Sequence, residues 1–252
     1  MTEGGKRLTG GNNTSPKITI ITVVLNAAAL LPGYLENVTR FLSDDIELVI
    51  LDGASTDGTI DLLKQHPNSI SYWASKPDGG IYDAMNQAVK YARGQWVYFL
   101  GVDDTLLEDF KDVPALLNNA STVYYANVVY YGQPFYKVYD DYYLTKLNFI
   151  HQALFYPKGV FESYQYDTQY KVYADYHLNL RLWKDTAYQF EHLDKLMASF
   201  SEGGFSSTVK DQLFESQRDQ LFKQYLKPAS YYRYLNRTIG LLGALKRFIL
   251  NK

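Results

Sequence analysis

Apolar runs alternate with helical patterns along the first half of the chain, and this alternation constrains the fold more than any other feature. Runs rich in β-branched residues are typical of strands covered on both faces, and they occupy residues 17–25, 46–53, 70–74 and 95–101. Apolar residues at helical spacing predict helices near 27–41, 57–65 and 81–92. Short strand–helix connections favour βαβ units and an open, mostly parallel sheet.

The second half has a different texture. Ser121–Tyr139 is dense in Tyr and Val and predicts paired strands that turn near Gly132. Residues 174–183 read as a helix, residues 188–200 as one or two strands, and residues 209–225 as an amphipathic helix.

These patterns divide the chain into three parts. Residues 1–16 are rich in Gly, Asn and Ser and predict a flexible leader. Residues 17–208 form the α/β domain, and residues 209–252 form C-terminal helices. No apolar run approaches the length of about 18 residues that a membrane-spanning helix needs.

The net charge of −2 conceals an uneven distribution. Residues 227–252 contain six basic and no acidic residues, which leaves 19 basic against 27 acidic residues in the rest of the chain. An acidic body does not suit a nucleic-acid binder, which would carry a basic face. No nucleic-acid partner is therefore expected.

Carboxylates follow three of the predicted strands. Asp52 ends the second strand, Asp78 follows the third, and Asp103 and Asp104 end the fourth. Each Asp–Gly pair taken alone is ordinary turn chemistry. Together they should converge on one edge of a parallel sheet, where carboxylate oxygens suit Mg²⁺ or Mn²⁺.

Other chemistries are excluded by absent motifs. The chain lacks the G-x-G-x-x-G fingerprint after its first strand and any G-x-x-x-x-G-K-[ST] loop. It contains no cysteine, so a thiol nucleophile and a thiolate metal site are both excluded.

An ordered series of motifs resembles family 2 glycosyltransferases of the GT-A fold, in particular bacterial enzymes that build colanic-acid-like exopolysaccharide, capsule or O-antigen. The series begins with a strand that ends at Asn26. It continues with LDGASTDGT (51–59), KPDGGIYDAMNQAV (76–89), GQWVYFLGVDD (94–104), HQALFY (151–156), YKVYADYHLNLRL (170–182) and SEGGFSS (201–207).

The resemblance implies a mostly parallel nucleotide-binding sheet flanked by helices, and an inverting transfer of one sugar. The donor would be a nucleotide-diphosphate sugar, with UDP favoured, and Mn²⁺ or Mg²⁺ would be the cofactor. The acceptor would be a hydroxyl of a polyprenyl-diphosphate-linked saccharide in bacterial surface polysaccharide synthesis. The Q-x-x-R-W motif of processive synthases is absent, which favours a single addition.

The resemblance also assigns roles by position. Asp175 matches the catalytic base, although Asp is also a preferred helix cap. Asp104 matches the last acid of the D-x-D metal motif. The nucleotide-binding positions are Val23, Leu25, Asp52, Asp78 and Asp103.

Other assignments are less direct. Val102 replaces the first acid of D-x-D, and Leu25 stands where many relatives stack a Tyr on the base. His151 could contact the diphosphate or the metal as a neutral imidazole, or serve as an ordinary structural residue. The backbone or side chains of Gly203, Gly204 and Ser206 could contact phosphate or acceptor, or form a simple turn.

The basic tail predicts an amphipathic helix over residues 230–250. Its apolar stripe and opposing arginines are typical of an interfacial membrane anchor. The resemblance implies that this membrane surface would be the cytoplasmic face of the inner membrane. A helix docked on the domain or on a twin subunit is the alternative.

Two other functions compete with sugar transfer. A nucleotidyltransferase of similar fold would need a basic Gly-rich loop after the first strand, where the sequence has Asn26 followed by three alanines. A non-catalytic sugar-nucleotide-binding protein is the second alternative. It is compatible with the loss of the first acid of D-x-D at Val102.

Overall fold

The computed structural model describes residues 1–10, 15–200 and 209–250, with side chains as far as residue 240. In the described part of the chain, ten strands form one sheet. The strands are β1 (Thr2–Gly4), β2 (Ile18–Val24), β3 (Ile46–Asp52), β4 (Tyr72–Ser75), β5 (Trp96–Phe99), β6 (Thr105–Leu106), β7 (Thr122–Tyr130), β8 (Gln133–Phe135), β9 (Leu154–Pro157) and β10 (Gln189–Ser199). The helices are α1 (Leu31–Thr39), α2 (Thr59–Gln65), α3 (Ile81–Ala88), α4 (Val113–Leu116), α5 (Val160–Ser163), α6 (Ala174–Lys184), α7 (Gln212–Tyr225) and α8 (Pro228–Leu250).

The sheet combines a block of four parallel strands with antiparallel and mixed pairings on either side of it. Its order is β1-β4-β3-β2-β5-β9-β7-β10-β6, and β8 pairs with β7. Strands β4, β3, β2 and β5 run parallel, as the βαβ pattern predicts. Strand β9 runs antiparallel to both β5 and β7, and β10 lies parallel to β7. The chain therefore confirms the predicted α/β class.

Successive side chains of the central strands point to opposite faces of the sheet, and each face has its own hydrophobic core. In β3, Leu48 and Ile50 belong to the core that includes α1 and α2, whereas Val49 and Leu51 belong to the core that includes α3 and the C-terminal helices. All four side chains are buried. Burial on both faces explains why β2 and β3 read as nearly continuous apolar runs.

The N-terminal segment differs from the predicted flexible leader. Strand β1 pairs antiparallel with β4 at the edge of the sheet, so residues 2–4 are held by backbone hydrogen bonds. Arg7 forms an ion pair with the buried Glu47 and donates a hydrogen bond to the Tyr91 carbonyl. A composition rich in Gly suggests flexibility. It cannot show that β4 would otherwise be an edge strand whose free backbone groups pair with residues 2–4.

The first part of α8 docks on the domain. Tyr231 and Leu235 are buried in the core that also contains Phe222 of α7. The guanidinium of Arg233 lies 3.8 Å from the centre of the Tyr142 ring, and Arg237 donates to the Thr145 carbonyl at 3.2 Å. The predicted stripe is therefore covered by protein at Tyr231 and Leu235, whereas Thr238 is exposed.

Beyond this point α8 changes direction. Gly240 has φ 74° and interrupts the helical backbone. Side chains 241–250 lie outside the described residues, so the stripe predicted there is not tested. None of the helices in the described part of the chain has the length and apolar content that crossing a bilayer requires.

One buried carboxylate joins the C-terminal helices to the rest of the domain. Asp211 is 4% exposed and caps α7 by accepting the backbone N–H of Phe214. Its other oxygen accepts the N–H groups of Val172 and Tyr173 just before α6. Sequence analysis missed this residue because its second pair of partners is 38 or 39 residues away in the chain.

Replacing Asp211 with Ala should lower the free energy of unfolding by about 2–4 kcal/mol, because buried backbone donors would lose their acceptor. Chemical denaturation measures this loss. Asp211→Asn, which keeps one acceptor oxygen, should lose less stability. Equal stability of the alanine variant and the wild type would show that the hydrogen bonds of Asp211 do not stabilise the contact between α7 and the residues before α6.

Candidate functional site

The loops after β2 and β3 are tied together at the carboxyl edge of the sheet. Asn26 adopts a left-handed backbone conformation with φ 52°, and its N–H donates to Ser55 Oγ at 2.7 Å. In return, the Thr56 N–H donates to Asn26 Oδ1 at 3.0 Å. These reciprocal bonds join the loop after β2 to the loop after β3.

The Asp52 carboxylate holds the loop after β3 in place. Its carboxylate is fully buried and accepts hydrogen bonds from the Ser55 N–H at 3.0 Å, from Ser75 Oγ at 2.7 Å and from Ser55 Oγ. Asp52 and Ser75 are register partners at the ends of β3 and β4. The predicted bond from Asp52 to a nucleoside base would therefore require the loop to open first.

Leu25 and Asp78 form two walls around Gly53. Leu25 is 63% exposed, and its Cδ1 lies 3.4 Å from the place that a Cβ on Gly53 would take. Asp78 Oδ2 lies 2.7 Å from the same place, so a side chain at position 53 would collide with it. Val23 is partly buried and packs on the core below. An exposed apolar wall facing a carboxylate suits a flat, hydrogen-bonding base.

Asp103 and Asp104 lie together at the end of β5, but their environments differ. Asp103 is exposed, whereas Asp104 is 4% exposed and accepts hydrogen bonds from the Gly101 N–H at 2.9 Å and from Gln152 Nε2 at 3.0 Å. A Cβ on Gly101 would lie 2.7 Å from Asp103 Oδ1 and 2.6 Å from Asp104 Oδ2. Glycine at this position therefore allows both carboxylates to come close to the backbone.

These two carboxylates fit a divalent cation that completes its shell with substrate oxygens. Mg²⁺ and Mn²⁺ prefer oxygen ligands, and Mg²⁺ commonly takes only one or two carboxylates together with waters and phosphates. Among the described residues, no group of three His, Cys, Asp or Glu side chains forms a ready metal cage. Asp103 and Asp104 could thus hold a metal that a diphosphate helps to bind.

The His151 ring packs against aromatic side chains. Its Nε2 lies 3.0 Å from Tyr166 Oη, and its ring packs against Phe99 with centroids 5.3 Å apart. Burial lowers its pKa to about 4, so the imidazole is neutral near pH 7. This packing agrees with the structural alternative, and a contact of His151 with the diphosphate or the metal stays a prediction. Its neighbour Gln152 is the member of the HQ pair that reaches Asp104.

Asp175 lies in the first turn of α6, one residue after the helix begins, so it is not the helix cap of the alternative interpretation. One oxygen accepts from the Tyr176 N–H at 2.8 Å and from Tyr82 Oη at 3.1 Å, and the other accepts from Asn148 Nδ2 at 2.8 Å. Burial raises its pKa to about 6, although these bonds act in the opposite direction. Asp175 can therefore accept a proton near neutral pH.

Tyr82 links Asp175 to the loop that carries Asp78. It lies in the first turn of α3, directly after the loop that carries Asp78. The Asp78 carboxylate holds that loop by accepting the Gly80 N–H at 2.8 Å. Asp175 and the loop of Asp78 are thus connected through one tyrosine.

Asn148 and Asn179 form a second layer behind Asp175. Asn179 Nδ2 donates to Asn148 Oδ1 at 3.0 Å, and Asn179 Oδ1 accepts from Tyr156 Oη at 2.8 Å. These bonds fix the amide of Asn148 so that its NH₂ group faces the carboxylate. Sequence analysis missed both residues, although Asn179 lies one helical turn after Asp175 on the same face.

The predicted contacts of Gly203, Gly204 and Ser206 lie outside the described residues.

Comparison with known proteins is consistent with this geometry. Residues 19–197 match the profile described as Glycosyl transferase family 2. The chain is 35% identical over 212 residues to a PGL/p-HBAD biosynthesis glycosyltransferase of Mycobacterium tuberculosis, covering 79% of this chain and 83% of the relative. TuaG of Bacillus subtilis, whose name refers to teichuronic acid biosynthesis, is 31% identical over 100 residues, or 38% of this chain and 40% of TuaG.

Solved structures share the fold at low sequence identity. S. aureus TarS 1–349 in complex with UDP superposes with a TM-score of 0.64 at 18% identity, over 88% of this chain and 70% of that one. The mannosyltransferase PcManGT of Pyrobaculum calidifontis, in complex with GDP-Man and Mn²⁺, gives a TM-score of 0.59 at 16% identity, over 95% and 80% of the two chains. With the family match over most of its length, the chain belongs to glycosyl transferase family 2 and has the GT-A fold.

Proposed function

We propose that this protein transfers one sugar, with inversion, from a nucleotide-diphosphate sugar to a hydroxyl of a saccharide acceptor. The observation that carries the proposal is the Asp175 carboxylate, which is buried, has a pKa raised to about 6, and is held by three donors beside the nucleotide loop. An inverting displacement needs such a base within hydrogen-bond reach of the attacking hydroxyl.

The donor side of the cleft supports a nucleotide. Leu25 and Asp78 offer an apolar wall and a carboxylate to the base, with Gly53 leaving space between them. A UDP-sugar is the favoured donor, since structures of TarS contain UDP and UDP-GlcNAc. The structural match to a mannosyltransferase complex with GDP-Man keeps a guanine nucleotide as the second candidate.

A divalent cation would be held by Asp103 and Asp104. It would supply Lewis-acid neutralisation of the charge that develops on the leaving diphosphate. Gln152 and the Gly101 N–H hold Asp104 in position, so the protein keeps this carboxylate in a fixed orientation at the end of β5.

The acceptor is proposed from chemistry and from relatives. The names of the mycobacterial relatives and of TuaG refer to PGL/p-HBAD and teichuronic acid biosynthesis, which supports a role in cell-surface glycan synthesis. A polyprenyl-diphosphate-linked saccharide at the cytoplasmic face of the membrane is the proposed acceptor. Membrane attachment through the end of α8, and a homodimer formed there, are alternative proposals for the tail.

Asp175→Asn should retain donor binding and lose transfer, because the amide keeps the shape of the side chain but accepts no proton. Nucleotide release in the presence of acceptor measures transfer, and calorimetry with UDP measures binding. Full transfer activity in this variant would overturn the assignment of the base.

Asn148→Ala should move the acid limb of the pH–rate profile to higher pH. The Asn148 amide stabilises the ionised form of Asp175, so its removal raises the pKa above about 6. A lost hydrogen bond to a charged group corresponds to a shift of roughly 1 pH unit.

Asn179→Ala provides the matched control, because Asn179 bonds Asn148 and not Asp175 directly. It should shift the acid limb less than Asn148→Ala does. A uniform loss of rate at every pH, with no shift, would indicate that Asn148 only supports the fold.

Gly101→Ala should weaken Mn²⁺ binding in the presence of UDP on the order of tenfold or more, because the new Cβ displaces both carboxylates. Titration followed by the Mn²⁺ electron paramagnetic resonance signal measures this. Gly33→Ala is the control, since Gly33 lies in α1 with no atom within 4 Å of its added Cβ. Equal Mn²⁺ affinity in both variants would exclude the proposed metal position.

A further inference from the structure

A basic groove lies at the opposite edge of the sheet from the candidate active site. Eight described residues line it; four are basic and none is acidic, and its volume is about 470 Å³. The basic residues are Arg7, Lys90, Arg93 and Lys158. This concentration of positive charge contrasts with a net charge of −2 for the whole chain.

The topology separates the groove from the catalytic edge. Arg7 donates its backbone N–H to the carbonyl of Ser71, directly before β4, and Lys158 donates to the carbonyl of Gln95, directly before β5. Both contacts therefore lie at the amino ends of the parallel strands. The seven-residue strand β2 spans the sheet between the two edges, a distance of about 20 Å.

Part of the groove is rigidly built. The Arg7 side chain is 10% exposed and is fixed by its ion pair with Glu47 and by the Tyr91 carbonyl. Glu47 also accepts from Thr19 Oγ1 at 2.6 Å and from the Arg93 N–H at 2.7 Å. Glu47 is thus occupied by Arg7, by Thr19 and by the backbone of Arg93. A second carboxylate, Glu3, accepts a hydrogen bond from the hydroxyl of the groove residue Tyr72.

The charges of Lys90 and Lys158 are the ones available to a ligand. In the described part of the chain, Lys90 and Lys158 form no salt bridge. The Tyr72 and Tyr91 rings stack with centroids 4.6 Å apart and form one wall of the groove. Cations converging on a concave surface beside a rigid wall concentrate positive potential there.

We propose that this groove binds a phosphate-bearing anion. Lysine ammonium and arginine guanidinium groups are the side chains that bind phosphate oxygens most strongly. The anion reaches the groove either as a free phosphate or diphosphate or as the phosphate of an anionic lipid headgroup. Leu8, which is 54% exposed and lines the same groove, offers an apolar contact next to the charges.

The test uses the full chain with Lys90→Glu and Lys158→Glu combined. One arm titrates inorganic phosphate and pyrophosphate by calorimetry, in EDTA and at constant ionic strength, so that the metal-dependent site does not contribute. The other arm measures sedimentation with phosphatidylcholine vesicles that contain phosphatidylglycerol, against pure phosphatidylcholine vesicles. The first arm reports a free anion and the second a lipid headgroup.

The matched control combines Lys184→Glu and Lys223→Glu, exposed positions on α6 and α7 that make the same change in net charge. We expect binding in at least one arm to weaken by about tenfold or more in the groove variant and to persist in the control. Thermal unfolding, which should not change, verifies that the groove variant is folded.

Two outcomes overturn the proposal. The first is that the wild-type chain binds neither phosphate, nor pyrophosphate, nor the anionic vesicles. The second is binding that the groove variant retains at wild-type strength. Neither outcome affects the assignment of Asp175, because the two sites lie at opposite edges of the sheet.

Discussion

The parallel pairing of β2 with β3 and β5, and of β3 with β4, is the constraint on which the rest of the molecule depends. Parallel strands bring their carboxyl ends to one edge, so loops that are far apart in sequence meet there. The register sets Asp52 beside Ser75, and the ends of β4 and β5 carry the acids that follow. Every group of the candidate site is positioned relative to this edge.

Burial and hydrogen bonding distinguish the carboxylates of this domain. Asp52 and Asp211 are buried and saturated by hydrogen bonds, which is how a fold tolerates a desolvated carboxylate. Asp103 remains exposed. Asp175 is buried as well, yet burial raises its pKa to about 6, so the three donors do not offset desolvation completely. A carboxylate held in this balance is suited to moving a proton, whereas a saturated one is suited to holding loops.

The second half of the chain completes the site. Strand β9 extends the sheet beyond β5, and the residues just before it bring Gln152 to Asp104 and Asn148 to Asp175. Helix α8 contacts the same region, because Arg233 and Arg237 pack around Tyr142 and Thr145. The basic residues that suggested a membrane anchor thus form, as far as residue 240, contacts that stabilise the segment leading to Asn148.

The sequence by itself determined the α/β class, the order of the parallel strands along the chain, the hairpin near Gly132 and the family. These follow from local periodicity, from turn residues and from motifs whose members lie close together in the chain. Asp104 and Asp175 could be chosen as candidate site residues from the sequence because each belongs to such a motif.

Only the tertiary structure decided what each carboxylate contacts. It buried Asp52 under Ser55 and Ser75, packed His151 against Tyr166, brought Asn148 to Asp175, and gathered four basic residues from separate segments into one groove. The physical reason is that burial and hydrogen bonding are properties of groups that meet in space. Asn148 and Asp175 are 27 positions apart in the chain, and Tyr82 and Asp175 are 93 positions apart. No local pattern in the sequence records such meetings.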